Sequence, residues 1–226
     1  MESLQKNSEQ LLLKMKMGEN PQTLVDYFRN ISIESIQSSI TTDNQKKAFW
    51  INMYNAYFLI LRKIQNLDKS KIYKSKSINI GGHLFTLDDL EHGILRKYRY
   101  KYSLGFLPSL FVPSIIKKLA VDKVDYRIHF ALNCGAKSCP PIAFYYEDRI
   151  EQQLEMATIS FLEGETEVKE ASKEIWISRL FLWYLGDFGG KSGVRRILEE
   201  KLNISTSGYS IHHSEYNWEE DLSNFV

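Results

Sequence analysis

The run AFWINMYNAYFLIL, residues 48–61, restricts the fold of this chain more than any other feature. It is apolar nearly all round a helix, so the rest of the protein must cover that helix on most sides. Asn52 and Asn55 lie three positions apart in the run and share one face. Because buried amides must be hydrogen-bonded, we expect both to reach polar groups across the core. The run is too short to span a bilayer.

Weaker patterns around this helix predict the remaining elements. The core helix itself should extend over residues 43–65, with Asp43 as its cap. Further helices are predicted over residues 2–17, 21–29, 86–98, 114–120, 147–163, 180–190 and 191–203. Strands are predicted in a hairpin over 71–85, and over 126–132, 173–178 and the stretch after 208. Because strands and helices do not alternate regularly, we expect an α+β fold, mostly helical with a small antiparallel sheet. Residues 1–42 form an N-terminal helical extension in this interpretation, and residues 43–226 form a single α+β domain.

Charge and composition exclude some classes of partner. The net charge is +1 and the isoelectric point about 7.7, whereas a nucleic-acid-binding protein normally has a basic face and a high isoelectric point. The densest basic cluster, KYRYK at 97–101, is interpreted as a solvated helix end. The N-terminus lacks the layout of a signal peptide. We therefore expect a cytoplasmic protein with neither a nucleic acid nor a membrane as partner.

The stretch RIHFALNCGAKSCPP, residues 127–141, contains both cysteines of the chain, Cys134 and Cys139. Four interpretations remain open: a structural turn, a disulfide, a metal site and the loop of a nucleophile. A metal site would use His129 and both thiolates, with His92 or His212 as fourth ligand, but the spacing is not that of a zinc knuckle. A cytoplasmic location disfavours a disulfide. We expect no metal and no cofactor.

Catalysis by cysteine needs a thiolate, a histidine base, a group that orients the base and donors for an oxyanion. Cys134 is the better nucleophile, because free backbone amides follow it, whereas Cys139 precedes two prolines. His129 and His92 are the candidate bases. Glu91 lies on the apolar stripe of its predicted helix, where a carboxylate needs a partner.

Alternation along the predicted strand 126–132 places Arg127 and His129 on one face. Glu91 is therefore expected to pair with Arg127 or to orient a histidine. Candidate substrate-binding residues complete the expected pocket: Asn52, Asn55, Arg127 and Ser138.

Several blocks resemble a bacterial stand-alone member of the domain-of-unknown-function family 547. They are AFWINMYNAY (48–57), FTLDDLEHGILR (85–96), DYRIHFALNCGAKSCPP (125–141) and SRLFLWYLGDFG (178–189). The resemblance implies motif residues at Trp50, Asn52, Tyr54, Asn55, Glu91, His92, Arg96, Arg127, His129, Cys134, Ser138 and Pro140. In eukaryotic relatives the second cysteine is often serine, which implies that Cys134 is the reactive one and counts against a disulfide. A papain-like or transglutaminase-like arrangement is a further suggestion of the resemblance.

The hypothesis from the sequence is a thiol-dependent hydrolase or acyl transferase acting on an amide or peptide bond. Cys134 would attack, His129 or His92 would carry the proton, and Glu91 would complete the catalytic set. The backbone amides of the turn and Asn52 would hold the oxyanion. The substrate would be a small molecule or a peptide of unknown identity. The alternative is a non-catalytic ligand- or protein-binding module whose polar cluster is structural or holds a small carboxylate against Arg127.

Overall fold

The buried helix α4, Asp43–Leu59, is the central element of the computed structural model, which describes residues 3–226. Its cap is Thr42 rather than Asp43: the Thr42 side chain accepts from the amide of Gln45, whose side chain accepts in return from the Thr42 amide. The Asp43 carboxylate accepts instead from the amides of Asp122 and Lys123, at 2.7 and 3.0 Å. The helix continues into a π-helical turn, Ile60–Ile64.

The N-terminal helices cover one side of α4. They are α1, Leu4–Met17, α2, Gln22–Asn30, and α3, Ile33–Ser39, which confirms helices near the predicted places. Gly18 ends α1 with a φ of +70°, a conformation that glycine adopts without strain. Leu11 and Phe28 belong to the same hydrophobic core as α4. The division of the chain at residue 42 stays a prediction.

Two small sheets complete the α+β fold. β1, Ile78–Ile80, and β2, His83–Phe85, form the predicted antiparallel hairpin around two glycines. β3, Glu167–Lys169, pairs antiparallel with β4, Glu174–Ile177, and β4 pairs in parallel with β5, Ser210–His213. The α+β class is thus confirmed, although the second sheet is mixed rather than purely antiparallel.

The papain-like arrangement stays a prediction. In such folds the nucleophilic cysteine opens a helix, whereas Cys134 lies in an irregular loop here.

Four further helices complete the fold. They are α5, Ser114–Leu119, α6, Ile150–Glu165, α7, Leu180–Trp183, and α8, Gly190–Leu202. Ile116 and Leu119 of α5 belong to the first hydrophobic core, whereas α6, α7 and α8 build a second one. The aromatic members of this core are Phe130, Phe161, Phe181 and Phe188, the last two with ring centroids 4.5 Å apart.

The predicted strand over 126–132 is wrong, because Tyr126–Phe130 is a 3₁₀-helix. The Asp125 side chain accepts from the amide of Arg127 at 3.1 Å and so caps this turn. Three residues complete one turn of a 3₁₀-helix. Arg127 and His129, two positions apart, therefore point in different directions instead of sharing one face.

The basic cluster at 97–101 is not a helix end. A π-helix, Asp89–Leu95, ends before it, and Lys97 and Tyr98 both have positive φ angles. A projecting hairpin follows, which we call the 98–109 hairpin. Its ladder runs from Ser109 to Tyr98 at 2.7 Å and from Tyr100 to Leu107 at 2.9 Å, each amide donating to a carbonyl.

The segment 216–226 runs back over the cysteine loop. The amide of Lys137 donates to the carbonyl of Glu219 at 2.8 Å, and the amide of Asp221 donates to that of Gly135 at 2.9 Å. No helix within residues 3–226 is both long and apolar enough to cross a membrane.

Candidate functional site

A cavity of about 290 Å³ brings together most of the side chains predicted to be catalytic. Both hydrophobic cores contribute to its walls. The residues that line it are Tyr54, Ser70, Tyr73, Lys74, Asp88, Glu91, His92, Lys101, His129, Leu132, Cys134, Cys139, Pro140, Leu180, Trp183, Tyr184, Tyr216 and Trp218. Three segments, the π-helix of Glu91 and His92, the 3₁₀-helix of His129 and the loop of Cys134, thus meet at one cavity, which we call the central pocket.

A buried ion pair fixes His129 in the wall of the central pocket. The Nε2 of His129 lies 2.8 Å from Oδ2 of Asp187, and the Nε of Arg96 donates to the same oxygen at 2.6 Å. Arg96 and Asp187 are completely buried. The Nδ1 of His129 makes no hydrogen bond to any residue between 3 and 226.

Burial is the largest influence on the titration of His129, and it lowers the pKa below the ordinary 6.5, although the hydrogen bond to Asp187 opposes it. Burial works to raise the pKa of Asp187, but the bonds from His129 and Arg96 outweigh it and hold that pKa low. Near neutral pH the pair is therefore a carboxylate facing a neutral imidazole. Because Asp187 accepts from Nε2–H, the lone pair lies on Nδ1.

Glu91 lies at the floor of the same pocket between two tyrosines. Tyr184 donates to Oε1 at 2.8 Å and Tyr54 to Oε2 at 3.4 Å. Burial works to raise the pKa of Glu91, but the neighbouring His92 and Arg96 lower it by more, so the carboxylate is ionised at neutral pH. The predicted pairing of Glu91 with Arg127 is wrong.

His92 takes part in the same network through its neighbours on the π-helix. Its Nδ1 accepts from Nη1 of Arg96 at 2.7 Å, and the Nδ1 also lies 3.5 Å from Oε1 of Glu91. Burial lowers the pKa of His92 below 6.5, while Glu91 and Asp88 oppose that shift. Since Nδ1 is occupied by Arg96, Nε2 carries the proton, and His92 is a donor toward the pocket rather than a base.

Cys134 and Cys139 are joined in a disulfide, with their Cα atoms 6.0 Å apart. The expectation of a free Cys134 thiol is therefore wrong for this oxidation state, and the metal interpretation with both thiolates fails with it. The loop turns back on itself through Gly135, which has a φ of +75°, and the amide of Cys134 donates to Sγ of Cys139 at 3.0 Å.

The hydroxyl of Tyr216 is the polar neighbour of both sulfurs, at 3.3 Å from Cys134 and 3.1 Å from Cys139. Within residues 3–226, no imidazole nitrogen lies within hydrogen-bonding distance of either sulfur. The same described part of the chain contains no group of three His, Cys, Asp or Glu side chains arranged to hold a metal ion.

Three of the four backbone amides after Cys134 are engaged, contrary to the expectation of an oxyanion site there, and the fourth residue, Ala136, does not line the central pocket. The Gly135 amide donates to Oδ1 of Asn133 at 2.7 Å. The amides of Lys137 and Ser138 donate to carbonyls of the segment 216–226. A reacting carbonyl would have to find its donors elsewhere in the central pocket.

The two core asparagines are structural rather than substrate-binding. Asn52 donates to the carbonyl of Tyr145 at 2.8 Å and accepts from its amide at 3.0 Å. Asn55 donates to the carbonyl of Ala131 and accepts from the amide of Asn133, both at 3.0 Å. Each side-chain amide is completely buried and makes one hydrogen bond as donor and one as acceptor. Both asparagines thus bond to polar groups across the core, as predicted, but neither side chain lines the central pocket.

Arg127 and Ser138 also lie outside the central pocket. Arg127 donates to both carboxylate oxygens of Asp125, at 2.9 and 2.7 Å, and contacts Glu151. Ser138 accepts from the amide of Asn217 at 2.9 Å. The expectation that these two bind substrate is corrected, because the 3₁₀-helix and the folded-back segment turn them elsewhere.

Comparison with protein families gives a match over residues 38–162 to the family described as "Protein of unknown function, DUF547". The match covers more than half of the chain. The protein belongs to this family. A search of curated proteins and a search of solved structures each found no match.

The part matched by DUF547 contains Glu91, His92, His129 and Cys134, but it ends before three further residues of the site. Asp187, Tyr184 and Tyr216 contact the matched residues from the C-terminal part of the chain, and sequence reasoning missed them. The ring of Tyr184 stacks on that of His129, with centroids 3.8 Å apart. The sequence feature that could have indicated this part of the site was the carboxylate of Asp187 between Gly186 and Gly189.

Proposed function

We propose that the reduced protein is a thiol-dependent hydrolase or acyl transferase that acts on an amide or peptide bond. The observation that supports this most strongly is the 2.8 Å contact between His129 and Asp187 in the wall of the pocket that also holds Cys134. A histidine that is oriented by a buried carboxylate and has its other nitrogen unengaged meets the requirements for a general base.

In the proposed reaction, His129 Nδ1 takes the proton of the Cys134 thiol, and the thiolate attacks the carbonyl carbon of the substrate. The C–N bond then breaks, and the imidazolium returns the proton to the leaving amine. The resulting thioester is attacked by water or by another acceptor, whose proton passes to His129 and then to the departing sulfur. The lowered pKa of His129 supports this role, because the imidazole is neutral when the reaction starts.

The oxyanion in this proposal takes its hydrogen bond from Tyr216, since three of the four turn amides are engaged and Ala136 does not line the central pocket. The Tyr216 hydroxyl lies 3.3 Å from the Cys134 sulfur, within reach of an oxygen on a carbon bonded to that sulfur. Burial raises the pKa of Tyr216, so the hydroxyl keeps its proton and can donate. Glu91 and His92 then line the substrate side of the pocket rather than the reacting centre.

Cys134 must be reduced before it can attack. A dithiol reductant supplies two electrons and two protons, the disulfide becomes two thiols, and the reductant leaves as its own disulfide. The oxidised protein is therefore inactive in this proposal.

The test is the reactivity of Cys134 in a Cys139→Ser variant, which cannot form the disulfide. We expect iodoacetamide to label Cys134 much faster than it labels N-acetylcysteine near pH 6. Adding His129→Gln should slow this labelling at least about tenfold, while His212→Gln on the surface should leave the rate unchanged. p-Nitrophenyl acetate should give a burst of nitrophenolate that requires Cys134.

Labelling at the rate of the model thiol, with no burst, would contradict the proposal. If Cys139→Ser does not fold, wild-type protein reduced by a phosphine gives the same comparison, because mass spectrometry distinguishes the two labelled cysteines.

The second candidate is a ligand-binding module without catalysis. It is favoured by the fact that the sulfurs are bonded to each other and contact Tyr216 rather than an imidazole. The central pocket places the rings of Trp183, Tyr216 and Trp218 near the anionic Glu91, a combination that suits an organic cation. Quenching of tryptophan fluorescence by a quaternary ammonium in the oxidised protein, lost in Glu91→Gln, would support this function.

A further inference from the structure

The 98–109 hairpin and the two residues that follow it carry an exposed group of large apolar side chains. Leu110 is 87% exposed and Phe111 93% exposed, and Phe106 and Leu107 are exposed beside them. Folded proteins rarely leave such residues together in water without a use for them. Tyr100 and Tyr102 are exposed on the same hairpin.

The turn of the hairpin, around Leu104 and Gly105, is firmly held against Gly186. The amide of Gly186 donates to the carbonyl of Leu104 at 2.7 Å. A side chain at Gly186 would come within 2.5 Å of the hairpin backbone at Gly105 and Phe106, so glycine is needed for this close approach. The apolar residues therefore project from an ordered support.

The charged side chains of the segment 92–121 itself have one sign, while Asp88 and Asp89 line the adjoining cleft. Between Glu91 and Asp122 the chain has no carboxylate side chain, and its exposed or half-buried basic residues are Lys97, Arg99, Lys101, Lys117 and Lys118. Only Lys101 pairs with a carboxylate, that of Asp88, among the side chains that the structure describes. Lys117 and Lys118 lie on α5 immediately after the apolar tip and are exposed.

We propose that this surface binds an anionic phospholipid bilayer. Leu110 and Phe111 insert below the headgroups, the tyrosines lie at headgroup level, and the basic residues contact lipid phosphates and carboxylates. Apolar residues flanked by lysine and arginine, with tyrosine between, are the combination that interfacial binding requires. A protein partner is less well matched, because Leu110 and Phe111 are 87% and 93% exposed and project almost wholly into solvent, although Phe111 also borders the cleft between the hairpin and α5.

The position of this surface places a bilayer beside the central pocket. Lys101 and Asp88 line the central pocket, and both also line the cleft formed by the hairpin and α5. When the protein is bound to the bilayer, one side of the central pocket would thus face the membrane surface.

The test is co-sedimentation of the full chain with vesicles of phosphatidylcholine alone or mixed with phosphatidylserine. We expect binding to the mixed vesicles only, weakened by added salt. Leu110→Ser combined with Phe111→Ser should reduce the affinity at least about tenfold, and Lys117→Glu combined with Lys118→Glu should reduce it as well. Met17→Ser with Met156→Ser removes two exposed apolar side chains elsewhere and should leave binding unchanged.

The proposal is overturned if mixed vesicles do not bind the protein, or if the Leu110 and Phe111 variant binds as well as wild type. It is also overturned if sedimentation velocity shows a dimer that this variant dissociates while no vesicle binds, since the occupant would then be a second copy of the chain. Circular dichroism of each variant distinguishes lost binding from lost folding.

Discussion

Two charged networks begin two residues apart on the same 3₁₀-helix and have opposite environments. Arg127 turns outward to Asp125 and Glu151, where Lys47 joins them at 2.9 and 2.6 Å. His129 turns inward to Asp187 and Arg96, which solvent does not reach. The outer network lies partly in water, with the side chain of Glu151 53% exposed.

The difference shows that burial, more than the number of contacts, decides what such a network can do. In the outer network solvent screens the pairs that Glu151 makes, and exposed pairs contribute about 0.2–1 kcal/mol each, whereas the side chains of Lys47, Asp125 and Arg127 are only 7%, 15% and 16% exposed. In the inner network, Asp187 is the charge that compensates a buried guanidinium, so its removal leaves Arg96 without a counter-charge. The inner network also contains the neutral imidazole of His129. The outer network of Lys47, Asp125, Arg127 and Glu151 contains no imidazole.

The largest effect is expected for Asp187→Asn. This change keeps the shape but removes the charge that neutralises Arg96, so the free energy of unfolding should fall by about 3–5 kcal/mol. Urea denaturation followed by circular dichroism measures it.

Asp125→Asn is the matched control, because the same change there leaves Arg127 with Glu151 and with water. It should cost clearly less than Asp187→Asn, although the bonds from Arg127 and Lys47 outweigh burial and lower the pKa of Asp125 to about 2. If Asp187→Asn and Asp125→Asn lowered the free energy of unfolding equally, the difference in burial would not explain how much each network contributes to stability.

A smaller effect is expected from pH. Burial lowers the pKa values of His129 and His92 in the folded protein, whereas the unfolded chain takes up protons at the ordinary 6.5. The unfolded state then binds more protons below 6.5, so stability is complete above that pH and is lost as pH falls through the lowered values. Denaturation midpoints between neutral and mildly acidic pH test this.

The pH effect should be weaker in His129→Gln, which does not titrate. An equally steep loss of stability in that variant would assign the effect to other groups, among them the carboxylates of Glu91 and Asp187.

The smallest effect is expected for Glu151→Gln in the outer network. Lys47 and Arg127 both keep Asp125 as a partner, so the free energy of unfolding should change by less than about 1 kcal/mol. Added salt should reduce even this difference. A loss comparable to that of Asp187→Asn would show that the outer network acts as one unit.

The fold was predictable where a local pattern decides the structure. The apolar run of α4, the glycine turn between β1 and β2 and the reciprocal cap of Thr86 and Asp89, at 2.9 Å in each direction, all follow from neighbouring residues. The stretch 126–132 alternates like a strand, but Asp125 caps its first turn and makes it a 3₁₀-helix. The capping bond to the Asp125 side chain outweighed the strand-like alternation of residues 126–132.

The candidate site was predictable only in part. Glu91, His92, His129 and Cys134 stood out as polar groups in apolar or turn surroundings, and all four line one pocket. The assignment of roles depends on contacts between distant parts of the chain, such as Asp187 with His129, 58 positions apart. Arg127 was misplaced because its direction was inferred from the wrong secondary structure.

The segment 216–226 has a consequence for the order in which the molecule is assembled. Its backbone covers the loop of Cys134 and Cys139, and Tyr216 supplies the hydroxyl beside the sulfurs. A growing chain on the ribosome therefore exposes both sulfurs, without that shield, until residues 216–226 have emerged. Oxidation or pairing with foreign thiols competes with completion of the pocket during the interval between synthesis of the cysteine loop and synthesis of this segment.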